Sequence, residues 1–199
     1  MISVNFVIVG AAFNLVGSSA YALSTLRGRT RPNRVTWFVW SLAAFIAFSA
    51  QLSQHVGLRA LMTFMVGFGP LMIFVASFVN KKSYWRITKF DLICGALSIF
   101  ALVLWQITGI GNVAIALSIA ADFLAMIPTL KKSYDHPSSE HSWPFLTGIV
   151  SSGLTLLTLK TWSFADGGFA LYILMCSVVI FSLVHFKIGT RVRMRAIPR

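Results

Sequence analysis

Asp122 is the residue of this chain whose position most needs a chemical reason. It stands in ADFLAMIPTLKKSY (121–134), inside an apolar run, and lies eight residues before Leu130, about 12 Å at the 1.5 Å rise of a helix. A charge at the centre of a bilayer costs roughly 2.5–3.5 kcal/mol even on the lenient insertion scale. Such an acid is expected to face other protein, where it handles a solute or a proton. The other acids, Asp91, Asp135, Glu140 and Asp166, fall in expected loops or at helix ends. Ser118 and Thr129 share a helical stripe with Asp122. A shift of 104 positions lays these three over Asn14, Ser18 and Thr25. Facing one another, the two stripes would line a wet cavity; the same residue types also serve as hydrogen-bonding glue between membrane helices. Trp37, Trp40 and Trp143 fall in the first turns of two expected helices. They either sit at the membrane interface or turn inward to stack on a sugar or heterocycle. The candidate binding residues are therefore Asp122, Asn14, Ser18, Ser118, Trp37, Trp40 and Trp143. Pro128 and Pro70 each remove a backbone donor from a helix. Both are candidate hinges, and static bends are the other reading. Pro144 sits in a first turn, where proline is tolerated.

These residues need elements to hold them. The chain has 199 residues, of which 57% are hydrophobic and 11% charged, far from the composition of a soluble domain. Apolar runs separated by polar breaks predict seven transmembrane helices at about 4–26, 35–53, 58–79, 88–108, 111–130, 143–160 and 167–187. Helix is the expected structure, because a lipid-exposed backbone must satisfy its own hydrogen bonds and no alternating strand pattern occurs. The formal charge of +12 sits in short runs between spans, which argues for a membrane anchor and against nucleic-acid binding. Of the 17 Lys and Arg, all but Arg59 and Lys160 fall on one side of the expected spans, in the 1–2, 3–4 and 5–6 loops and the tail. That bias places the N-terminus outside and the C-terminus in the cytoplasm. MISVNFVIVG lacks a basic n-region and reads as a retained first span. The tail KIGTRVRMRAIPR is expected on anionic headgroups.

The same shift of 104 aligns LSTLRGRT (23–30) with IPTLKKSY (127–134), and GLRAL (57–61) lies over GGFAL (167–171) at a shift of 110. Helices 1–3 and 5–7 thus read as two like-oriented triplets joined by helix 4, a 3+1+3 plan of parallel repeats. The expected units are 1–87, 88–110, 111–188 and a basic tail at 189–199. This layout, with Pro128-Thr129-Leu130-Lys131-Lys132 closing helix 5, resembles the SWEET/PQ-loop superfamily. The family's Pro-Gln pair is represented here by Pro128-Thr129 and Ser24-Thr25. The resemblance implies an all-α integral membrane protein, multi-pass in the plasma or inner membrane. It implies a transporter that moves a small polar solute (sugar, amino acid or vitamin-like) by alternating access, with proton coupling through Asp122 as an added expectation. A ligand or cargo receptor without flux is the alternative, and a homo-oligomer is allowed. In the family, Trp and Asn from helices 2, 3, 6 and 7 surround the pocket. Here helix 3 offers Phe64, Gly67, Gly69 and Pro70, and helix 7 offers Tyr172, Cys176 and Ser177. No enzyme is expected, since no nucleophile–base pair emerges. No cofactor or metal is expected either: His136, Glu140 and His141 lack the spacing of a metalloprotease helix. Cys94 and Cys176 read as buried thiols.

Overall fold

A computed structural model describes residues 2–83, 85–108 and 110–196. Gly109, expected in a tight turn, and Arg199 of the basic tail lie outside them. Among the described residues eight α-helices occur: α1 (Phe6–Leu26), α2 (Arg34–Ser53), α3 (Ala60–Val79), α4 (Lys89–Thr108), α5 (Gly111–Asp135), α6 (Trp143–Leu157), α7 (Phe169–His185) and α8 (Ile188–Ala196). A 3-10 turn, Gly57–Arg59, leads into α3, and a π-helical turn, Phe164–Gly168, leads into α7. No strand occurs among the described residues.

Five helical segments among the described residues are long and apolar enough to cross a membrane: Phe6–Leu26, Arg34–Ser53, Gly57–Val79, Gly111–Asp135 and Phe164–His185. Their outward faces are greasy, and on α1 the inward face is mostly small or polar. On α1, Phe6, Val9, Phe13 and Val16 are exposed, whereas Gly10, Asn14, Gly17, Ser18 and Tyr21 are buried. Exposed apolar surface of this extent needs a partner, and a chain of this composition finds it in lipid.

Two boundaries differ from the sequence reading. α5 continues to Asp135, so Lys131 and Lys132 are helical, and α6 stops at Leu157, where Thr158 N–H and its hydroxyl both bond Thr155 O. Caps account for other ends. Asn33 Oδ1 accepts from the N–H groups of Val35 and Thr36 at 3.1 and 3.4 Å, satisfying donors that open α2. Thr88 and Asp91 cap each other at the start of α4, with Asp91 Oδ2 accepting from Thr88 N–H at 2.6 Å and Thr88 Oγ1 accepting from Asp91 N–H at 3.3 Å.

Six helices close a ring. α1 packs on α3, α3 on α2, α2 on α5, α5 on α7, α7 on α6, and α6 back on α1, while α4 lies outside against α5 and α2. Small residues allow the α1–α6 approach: a Cβ on Gly10 would stand 3.0 Å from Ser151 Cα, and one on Gly17 would collide with the Thr147 side chain.

Candidate functional site

Inside the ring lies a small cavity of about 80 Å³, lined from α1, α2, α3, α5, α6 and α7. Asn14 and Ser18 reach it from α1, Trp37 and Trp40 from α2, Pro70 from α3 and Asp122 from α5. α6 adds Pro144, Phe145 and Gly148, and α7 adds Cys176 and Ser177. That volume holds a few waters and is below the roughly 300–1,000 Å³ of most ligand pockets, so the cavity is constricted.

The helical repeat explains the convergence. Asn14 and Ser18 are one turn apart, with Ser18 Oγ 3.5 Å from Asn14 Oδ1. Asp122 is only 3% exposed; its Oδ2 accepts from the Tyr172 hydroxyl at 2.7 Å, and its backbone carbonyl accepts from Trp40 Nε1 at 3.1 Å. Two helices thus orient one residue, α7 through its side chain and α2 through its main chain. Trp37 and Trp40 meet edge to face with ring centroids 5.1 Å apart, and Phe145 stands 6.5 and 6.4 Å from them. Trp37 Nε1 is buried with no acceptor in hydrogen-bond geometry among the described residues, although the Tyr21 ring lies 4.9 Å away, centroid to centroid.

Of the sequence candidates, Asp122, Asn14, Ser18, Trp37 and Trp40 come together at the cavity, with Pro70 in its wall. Ser118 does not: it is fully buried one turn away, and its hydroxyl finds no partner among the described residues. Trp143 is 51% exposed and borders a separate cleft with Arg27, Arg29, Glu140 and His141. About half a turn further around α6, Phe145 points inward instead. Pro128 is buried within α5 away from the cavity, and both prolines lie inside continuous helices. Sequence reasoning passed over Phe145. Its only signal was its place two residues after Trp143, on the opposite side of an α6 turn. Cys176 is half-buried in the cavity wall, and Cys94 is buried elsewhere.

Glu140 lies in the loop before α6, as the sequence indicates, but it is shielded from water. Its side chain is fully buried, accepts from the Tyr21 hydroxyl, and pairs with Lys132 Nζ at 2.7 Å. Lys132 also donates to Arg31 O and sits 4.5 Å over the Trp85 ring, while Arg31 N–H donates to Ser139 O at 3.1 Å. Asp91 is buried too, accepting from Asn33 Nδ2 at 2.9 Å. His136 and His141 turn away from one another, to Trp85 and Tyr21 respectively, and no metal-binding cluster occurs among the described residues. At the opposite end of the ring, Arg59 pairs with Asp166 at 2.9 Å and bonds Thr158, while Gln51 Nε2 donates to Ala165 O at 3.0 Å. Polar bridges between residues before α4 and residues after it therefore stand at both ends of the cavity.

The site belongs to a helical protein with segments long and apolar enough to cross a membrane, and it sets one buried carboxylate in the mostly apolar wall of a cavity between them. No family model matches the chain, and neither a curated protein nor a solved structure matches it.

Proposed function

We propose that this chain is a seven-span, SWEET-like transporter that moves a small polar solute by alternating access. The observation that carries the reading is the central cavity, walled by both expected triplets and bridged at each end by contacts between them. The order of the ring supports the 3+1+3 plan, because exchanging α1, α2 and α3 for α5, α6 and α7 maps its contacts onto themselves. In each triplet the third helix stands between the first and second, and α4 remains outside. Breaking the Tyr21–Glu140–Lys132 bridge would open one end, and breaking Arg59–Asp166 would open the other. Asp122 is the group through which a proton would be coupled.

The test is uptake into proteoliposomes from pools of labelled sugars, amino acids and vitamins, with and without a pH gradient. Counterflow of one class, lost in Asp122→Asn, is the expected result. Saturable binding with no flux of any bound solute would replace transport by the receptor reading. Uptake that ignores the gradient and survives Asp122→Asn would remove proton coupling.

A further inference from the structure

The central cavity has the opposite charge character to the molecule around it. The chain carries 17 Lys and Arg against five Asp and Glu, yet among the described residues the one charged side chain lining the cavity is Asp122. No Lys, Arg or His among the described residues lines it, and the buried cation further along α5, Lys132, is engaged by Glu140. Asp122 uses one oxygen for the Tyr172 hydroxyl, and its Oδ1 takes no hydrogen bond from any described residue. The rings of Trp37, Trp40 and Phe145 line the same cavity and pack against one another.

From this arrangement we infer that the cavity selects a small organic cation, carrying a protonated amine or a quaternary nitrogen. A desolvated carboxylate attracts such a group, and the faces of Trp rings add a cation–π attraction. An anion would meet Asp122 with no compensating charge, and like-charge contact in a desolvated site is a strong rejection. A neutral polyol fits poorly for another reason. Its hydroxyls need many partners, and the wall is mostly apolar, with Asn14, Ser18 and Ser177 as its neutral polar side chains besides the Trp indoles and the Cys176 thiol. Buried hydroxyls left unpaired cost affinity. The assignment rests on reading this cavity as the solute site, and is independent of whether bound solute crosses the membrane.

The experiment uses the detergent-purified full chain and follows its melting temperature with three probes. These are choline chloride, its uncharged carbon isostere dimethylbutanol, and sodium acetate, with sodium chloride holding ionic strength constant. Choline and dimethylbutanol share a shape and differ in charge, so wild-type protein alone decides the main question, even if a variant fails to fold. The expected result is a saturable rise with choline, none with the other two, and an apparent affinity weaker by about tenfold or more in Asp122→Asn. Equal stabilisation by dimethylbutanol, a larger effect of acetate, a choline effect unchanged in Asp122→Asn, or no effect of choline would each overturn the inference. Choline binding without flux in proteoliposomes would defeat transport and leave the cation site standing. Flux of a neutral or anionic solute, with choline inert, would do the reverse.

Discussion

At the scale of single residues, the buried Lys132–Glu140 pair has clear energetic consequences. Both side chains are almost completely shielded, with 1% and 0% exposure. Two ions removed from water lose several kcal/mol of hydration each, which their attraction recovers only when both partners are present. Glu140→Ala should therefore destabilise the protein by about 3–5 kcal/mol by stranding Lys132. The double variant Lys132→Met/Glu140→Leu should recover most of that loss, and thermal melts of the single and double variants check both. His141, outside the membrane-spanning segments, gives a pH prediction. Burial lowers its pKa from the ordinary value, and the Glu140 charge opposes that shift. With the folded pKa below the unfolded one, the unfolded chain binds more protons as pH drops, so stability falls with it. The melting temperature should thus decline below about pH 6.5, and His141→Gln should flatten that part of the profile.

Elements are held together here by close approach more than by bulk. The α1–α6 contact depends on Gly10 and Gly17, whose missing side chains leave room for Ser151 and Thr147. This is how membrane helices associate when lipid removes the hydrophobic drive between them. Gly10→Ala places a methyl 3.0 Å from the Ser151 main chain, which cannot swing aside as a side chain can. It should destabilise by about 1–3 kcal/mol, the usual range for overpacking. Gly153 in the same α6 has nothing within 4 Å of a would-be Cβ. Gly153→Ala should be neutral or stabilising by up to about 1 kcal/mol through helix propensity. Melting both variants side by side separates packing from propensity, since both make the same change within a helix.

For the whole molecule, the charge bias predicts which end of the ring meets which solution. Lys160 lies beyond the end of α6 and Lys187 between α7 and α8, and both are exposed. With Cys94 and Cys176 replaced by Ala, Lys160→Cys should react with an impermeant maleimide added outside intact cells. Lys187→Cys should react only after the membrane is opened. The opposite pattern would reverse the orientation while leaving the fold untouched.

The sequence by itself determined the properties that add up locally. Hydropathy summed along the runs specified helices, five of which, among the described residues, are long and apolar enough to cross a membrane. The cost of a carboxylate in an apolar segment specified that Asp122 turns inward, and the 3.6-residue repeat put Asn14 and Ser18 on one face. Only the tertiary structure decided the properties set by neighbours distant in the chain. Trp37 and Trp40 are inside and Trp143 is outside, though all three fall near helix starts, because the ring turns those faces differently. Glu140 is legible in the sequence only as a loop acid, because its partner Tyr21 lies 119 residues away. Tyr172, 50 residues from Asp122, became its hydrogen-bond donor for the same reason. A polar side chain's environment is a property of the space around it, and periodicity along one helix does not specify the helix across the cavity.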